Sequence, residues 1–336
     1  SGTVPSPLDR RLSLAAIPTP LERADRLGSA LGMSPGALWV KRDDVTALGG
    51  GGNKARKLEY LCADALDQGA DVLVTGGGPQ SNHVRMTAAA ANVLGLDCAV
   101  VMAGPRPEPA TGNVLLIEIL GADLSWTGLR EGMDYTEIEA AIDETADRLE
   151  AAGRRPYRIP IGGATAVGAL GYVRAAAELR QQASALLGEV EVVVVAAGSG
   201  GTHAGLAAGL GDLDMVLGID VGARTDLDTA VPAKAAEVAA LAGVPSPAGT
   251  VRIDHDRVGG GYGAPTEECR HAVLLAARSE GLLLDPVYTG KALAGLMAAR
   301  AAGSVGPETR TVFLHTGGLP ALFTGAYATW GRDEAD

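Results

Sequence analysis

Glu191-Val-Val-Val-Val-Ala-Ala is an unbroken apolar run that ends at Gly198-Ser-Gly-Gly-Thr and passes into a helix of small residues, His203 to Leu210. A strand with no polar alternation has no face to give to water, so this one predicts the centre of a sheet covered on both sides. The rest of the chain alternates in the same way. Strands are expected at Leu38–Asp43, Asp71–Thr75, Cys98–Met102, Asp123–Trp126, Met215–Asp220 and Thr311–His315. Helices are expected from Ser81 to Leu94, Gly112 to Leu120, Tyr135 to Ala152, Gly168 to Leu187, Thr266 to Ser279 and Ala292 to Ala302. Strands separated by helices of this length imply βαβ units and parallel sheets. Residues 1–37 read as an extended arm and a short helix, and segment 222–250, rich in Ala, Pro and Thr, resists placement.

A second stretch carries chemistry. Gly49-Gly-Gly-Gly-Asn-Lys-Ala-Arg-Lys-Leu-Glu gives a backbone that a ligand can approach closely, then Asn53 as the expected N-cap of an amphipathic helix carrying Leu58, Leu61, Ala65 and Leu66. Lys54 then lies in the first turn, where the positive end of the helix dipole and the nearby Arg56 and Lys57 oppose its protonation. A depressed pKa is what an amine needs to form a Schiff base. A glycine loop leading into a basic surface helix fits this stretch equally well.

Gly198-Ser-Gly-Gly-Thr offers consecutive backbone N–H groups at a helix start, an anion cradle open to a phosphate. A dinucleotide fold is the competing reading, with Asp220 at the end of the next strand as the ribose contact. It fails at the third glycine of G-x-G-x-x-G, where His203 stands, and no G-K-[ST] follows. A monophosphate cup formed by Gly198, Ser199, Gly200, Gly201 and Thr202 fits better. Gln80-Ser-Asn-His is a second anion site of the carboxylate-trap kind, although Ser81 as an ordinary N-cap explains it as well. The five histidines show no metal-ligand spacing, and His315 reads as a satisfied histidine at a strand end.

The net charge of −12 argues against nucleic acid or an anionic membrane as partner. Glycine, 47 residues, is at about twice its usual share, which predicts many tight turns. Cys62, Cys98 and Cys269 are too sparse for a disulfide framework and suit a reducing compartment. No signal-peptide pattern or membrane-length apolar run is visible, and the opening Ser-Gly reads as a processing scar. A cytoplasmic location is the expectation.

A reactive lysine, a monophosphate cup and a carboxylate trap together imply pyridoxal phosphate. Six motifs carry a resemblance: Asn53-Lys-Ala-Arg-Lys-Leu-Glu, Gln80-Ser-Asn-His-Val-Arg, Gly198-Ser-Gly-Gly-Thr, Gly261-Tyr-Gly-Ala-Pro, Val287-Tyr-Thr-Gly-Lys-Ala and His315-Thr-Gly-Gly-Leu-Pro. In this order, over about Leu14 to Phe323, the chain resembles the D-cysteine desulfhydrase / 1-aminocyclopropane-1-carboxylate deaminase family. That resemblance implies an α/β, two-domain fold of the tryptophan-synthase-β type, each domain an open twisted, mostly parallel sheet with helices on both faces. The large cofactor-binding domain is expected at 1–53 and 164–336, and the smaller inserted domain at 54–163.

The resemblance also implies roles. Lys54 is the Schiff-base lysine, with Lys57 a phosphate partner and Asn53 a further cofactor contact. Asn82 meets the cofactor's ring hydroxyl, and Ser81, Asn82 and His83 hold the substrate. Tyr262 and Tyr288 flank the substrate and complete a catalytic set with Lys54 and Ser81. In the ring-opening deaminases an acid follows the second tyrosine and faces the pyridine nitrogen. Here Thr289 stands at that position and Thr316 at the later glycine turn, and both are expected at the ring. A hydroxyl there makes a weaker electron sink than a carboxylate, which favours loss of a good leaving group. The implied reaction is therefore α,β-elimination from a small thiol amino acid, D-cysteine first, with ring opening and elimination from cysteate or another β-substituted alanine behind it. Homodimers are usual in the family.

Overall fold

The structure is a computed structural model that describes residues 6–128 and 135–332; the Ser-Gly reading falls outside them. The chain folds as β1(Leu21–Arg23), α1(Asp25–Ala30), β2(Leu38–Lys41), α2(Lys54–Asp67), β3(Val72–Gly77), α3(Asn82–Leu94), β4(Asp97–Met102), α4(Asn113–Ile119), β5(Asp123–Trp126), α5(Tyr135–Ala151) and β6(Pro156–Arg158). It continues with α6(Ala166–Leu186), β7(Val192–Ala197), α7(Gly201–Leu210), β8(Val216–Asp220), α8(Leu227–Ala242), β9(Arg252–Asp254), α9(Glu267–Glu280), α10(Thr289–Ala301) and β10(Thr311–Leu314). Two sheets result. One has the order β1-β2-β10-β7-β8-β9, parallel except for the antiparallel edge strand β1, and the other is β5-β4-β3-β6, parallel throughout.

Strand β7 explains why the large sheet forms. Val192, Val194 and Ala196 pack into one core with residues of α1, α9 and α10, while Val193, Val195 and Ala197 pack into another with α6, α7 and α8. Alternate side chains point to opposite faces, so burying both faces requires the continuous apolar run. In the smaller sheet, Leu73 of β3 packs toward α2 and α3, whereas Val72 and Val74 pack toward α5.

The short strands β1, β6 and β9 carry no sequence pattern of their own and are additions to the expected set. Segment 222–250 contains α8, whose buried stripe is Leu227, Val231, Ala235, Val238, Ala239 and Ala242. Pro232 inside it gives up one helical hydrogen bond, and its presence hides a readable stripe. Leu66 is exposed rather than part of the buried face of α2, while Arg56 and Lys57 are buried, so the surface-helix reading fails. The three cysteines are buried and free. No helix among the described residues is long and apolar enough to cross a membrane.

Candidate active site

A cleft opens between the two sheets, at the carboxyl ends of their strands, where open α/β sheets bind ligands. The starts of α2, α3 and α7 converge on it. Asn53 and Lys54 come from the first, Ser81, Asn82 and His83 from the second, and Gly198, Ser199, Gly200 and Thr202 from the third. Tyr135, Tyr262, Tyr288 and Thr316 close the walls. Three helix starts turn their positive dipole ends toward it, so the cleft favours anions. Among the described residues, those that line it include no carboxylate side chain.

Lys54 Nζ donates to the carbonyl of Gly162 at 3.0 Å, and Lys57 Nζ reaches the same oxygen at 3.3 Å. No carboxylate pairs with either amine among the described residues. Burial pushes Lys54 down to about 8, with the hydrogen bond to Lys57 working in the opposite sense. Lys57 falls well below its ordinary value through burial and the charge of Lys54. The cause thus differs from the sequence expectation. Arg56 turns away from Lys54, and desolvation rather than the helix dipole or the neighbouring cations does most of the work.

Asn53 occupies the N-cap position of α2 but makes no capping bond with its side chain. Its Nδ2 donates instead to Thr202 Oγ1 at 3.0 Å, tying the lysine helix to the cup and leaving the Thr202 hydroxyl proton for a ligand. Gly200 sits at φ +84° at the start of α7, where a Cβ would meet Val231 at 3.0 Å. Gly201 does not line the cleft. A Cβ there would come within 2.8 Å of Lys57 Nζ, so Lys57 lies buried behind the cup.

Ser81 caps α3, accepting from Val84 N at 3.2 Å, as an ordinary N-cap would. His83 Nε2 lies 2.9 Å from Thr75 Oγ1, whose single proton goes to Ile159 O at 2.8 Å. The imidazole must therefore donate through Nε2, and Nδ1 is a buried acceptor with no partner among the described residues. Burial, with the charges of Lys54 and Lys57, keeps His83 well below its ordinary pKa and therefore neutral. The Tyr262 and Tyr288 hydroxyls share a short hydrogen bond, with their rings edge to face at 5.9 Å between centroids. Both phenols are raised by burial, Tyr262 to about 12 and Tyr288 further.

Thr289 does not reach the cleft, contrary to the expectation of a cofactor contact. Its hydroxyl donates to Asp285 Oδ1 at 2.7 Å and accepts from Asp285 N at 2.8 Å, which locks the turn before α10. Thr316 does line the cleft, and its carbonyl accepts from Asn53 N at 3.0 Å. Asp220, the ribose contact of the dinucleotide reading, pairs with His255 Nδ1 at 2.8 Å away from the cleft. His315 is satisfied by Gly317 N and Leu283 O, both at 3.2 Å. Gly162 and Tyr135 went unread in the sequence. The only signal for Gly162 was the break in pattern at Ile159-Pro-Ile-Gly-Gly, and Tyr135 gave none.

These groups suit a phosphorylated carbonyl cofactor. The cleft has a partly exposed amine of lowered pKa, a glycine-rich helix start in which added side chains would clash with their neighbours, an acceptor on His83 with no partner among the described residues, and only uncharged donors elsewhere among its described lining. No group of three His, Cys, Asp or Glu among the described residues is placed to hold a metal ion.

Comparison with known proteins places the same residues in context. Residues 12–317 match the family model described as "Pyridoxal-phosphate dependent enzyme". The chain is 44% identical to the D-cysteine desulfhydrase of Klebsiella pneumoniae (strain 342) over 322 residues, 93% of this chain and 95% of that protein. A solved structure described as an ACC deaminase homologue superposes with a TM-score of 0.83 at 38% identity, covering 96% of this chain and 97% of that one. The processed threonine deaminase isoform 2 of Solanum lycopersicum shares the fold, with a TM-score of 0.65 at 17% identity over 93% of this chain and 82% of that one.

Proposed function

The chain belongs to the pyridoxal-phosphate dependent enzyme family, and from that premise we propose that it is a carbon–sulfur lyase converting D-cysteine and water to pyruvate, ammonia and hydrogen sulfide. The observation that carries the choice of substrate is the 44% identity to a D-cysteine desulfhydrase along nearly the whole of both chains. The cleft supports it independently. None of its described lining residues is an acid, which suits loss of a good leaving group better than ring opening.

In this reading Lys54 holds the cofactor through its amine, and the N–H groups of Gly198–Thr202, with Lys57 behind them, hold the phosphate. Asn82 meets the ring hydroxyl and Thr316 the ring nitrogen, with Asn53 steadying the cup through Thr202. When bound, the cofactor supplies an electron sink for the pair released at the substrate Cα. Ser81 and the N–H groups opening α3 hold the substrate carboxylate at the positive end of the helix dipole. His83 Nδ1, without a partner among the described residues, would accept from the substrate. The Lys54 amine, free once the substrate amine has displaced it, would take the Cα proton, and its lowering by burial to about 8 suits it to that task at neutral pH. Thiolate leaves Cβ beside the Tyr262–Tyr288 pair, whose neutral hydroxyls donate a hydrogen bond to it. We also propose that the two sheets are two domains, 1–53 with 164–336 and 54–163.

The test is a product screen of D- and L-cysteine, cysteate, β-chloroalanine and the cyclopropane amino acid. Pyruvate from D-cysteine, with little 2-oxobutyrate from the cyclopropane substrate, is the predicted outcome. Efficient ring opening would reverse the assignment.

A further inference from the structure

We propose that Arg85 and Asn113 are positioning residues that fix which end of the Asn82 side-chain amide faces the cleft. The proposal rests on the reading that Asn82 meets the cofactor's ring oxygen. An amide can be turned end for end with almost no change in shape, yet the turn exchanges a donor for an acceptor. Something must therefore select the orientation.

The selection starts from Asn113, fully buried at the first position of α4. Its Oδ1 accepts from Arg85 Nε at 2.8 Å, and its Nδ2 donates both to the backbone carbonyl of Gln80 and to Asn82 Oδ1 at 2.9 Å. Two of these neighbours leave no choice. A guanidinium only donates and a backbone carbonyl only accepts, so Asn113 must turn its oxygen to Arg85 and its nitrogen to Gln80. Asn82 must then offer its oxygen inward, to Asn113 and to Arg85 Nη2 at 3.5 Å. Its two N–H donors are left for the cleft, which Asn82 lines. Gln80 reinforces the register, since its Oε1 accepts from Asn113 N at 2.8 Å.

Arg85 is itself immobilised. It donates to the carbonyls of Gly49 and of Gly51, the latter at 3.1 Å, in the loop that leads to Lys54. Its hydrogen-bond acceptors are all neutral, and burial lowers it to about 10, which leaves it charged at neutral pH. One guanidinium thus ties the glycine loop to the amide orientation. The Arg of the Gln80-Ser-Asn-His-Val-Arg stretch gains a role that the anion-site reading did not give it.

The test is Asn113→Asp, which keeps the shape and gains an ion pair with Arg85 but cannot donate to Asn82. The Asn82 amide should turn and set its oxygen against the ring oxygen. Cofactor-free protein titrated with pyridoxal phosphate should bind it about tenfold to a hundredfold more weakly, the cost of exchanging a buried hydrogen bond for an unsatisfied acceptor. The visible band of the ionised ring oxygen should give way to a band at shorter wavelength, because an accepting amide favours the protonated hydroxyl. Loss of packing alone would not move that band. Asn113→Ala serves if the aspartate variant does not fold, and should give a mixture of both bands. Asn82→Leu separates the two levels of the proposal. If it weakens binding and shifts the spectrum while the Asn113 variants do neither, the relay is overturned and the Asn82 contact stands. If Asn82→Leu changes neither, the contact fails and the relay falls with it.

Discussion

The first turn of α2 carries three cations with opposite fates, Arg56 and Lys57 buried and Lys54 partly so. Arg56 faces one way, into Asp43 and Glu178, with Lys41, Thr19 and Tyr172 completing the cluster. Lys54 and Lys57 face the other way and meet the Gly162 carbonyl and each other, with no carboxylate partner among the described residues. Burial works against the charge on both sides. Around Arg56 it is outweighed by Asp43 and Glu178, which hold the guanidinium above its ordinary pKa, while Asp43 stays ionised below its own. Around the lysines nothing outweighs it, and the amines move toward the neutral form. Burial with carboxylates thus makes a fixed structural charge, and burial without them makes a nucleophile and base. One helix turn provides both, with the paired side anchoring the unpaired one.

Each side can be broken alone. Lys54→Ala removes the reactive amine without disturbing the ion cluster. Turnover should fall by at least about 10²–10⁴-fold, the range for a lost general base, while the thermal midpoint of the cofactor-free protein stays near wild type. Residual activity near wild type would return the basic role to Lys57. Arg56→Met does the reverse. It leaves Asp43 buried without its cation and should cost about 3–5 kcal/mol in denaturant unfolding, while the folded fraction keeps the wild-type absorption spectrum. A variant that kept its stability but lost the spectrum would show that Arg56 acts on the site.

The smallest expected contrast is between two threonines. Thr289→Val strands Asp285 N and removes one of the two hydrogen bonds that Asp285 Oδ1 accepts from Thr289, and should cost about 1–3 kcal/mol of stability with little change in cofactor affinity. Thr316→Val should leave stability nearly unchanged and lower turnover. If the two exchanged these effects, Thr289 would be the ring contact after all.

What the sequence made legible follows from how far each signal reaches. Strand β7 and the helices with clear apolar stripes were readable because their periodicity is local. The strand-to-helix turn at Gly198–Thr202 was readable because a strand running into glycines and a helix start is a local pattern, while its use as a phosphate cup remains part of the proposal. Thr289 shows where this reasoning stops. A threonine between a tyrosine and a glycine serves the turn or the cleft equally well in one dimension, and only the position of the Asp285 carboxylate decides. Tyr135 and Gly162 were invisible for the same reason, since the chain brings them to the cleft from the far side of the smaller sheet. The cause of the lowered Lys54 pKa is not legible either, because the sequence sets Arg56 two residues from Lys54 while the helix sends their side chains to opposite sides and burial does most of the lowering.

The central claim is that Lys54, the unpaired amine open to the cleft, is the one that carries the cofactor. Borohydride reduction of the protein saturated with pyridoxal phosphate, followed by proteolysis and mass spectrometry, tests it directly. The account predicts a yellow protein that bleaches on reduction, with one phosphopyridoxyl group per chain, located on Lys54. A group fixed on Lys57, or protein that stays colourless with added cofactor, would contradict it.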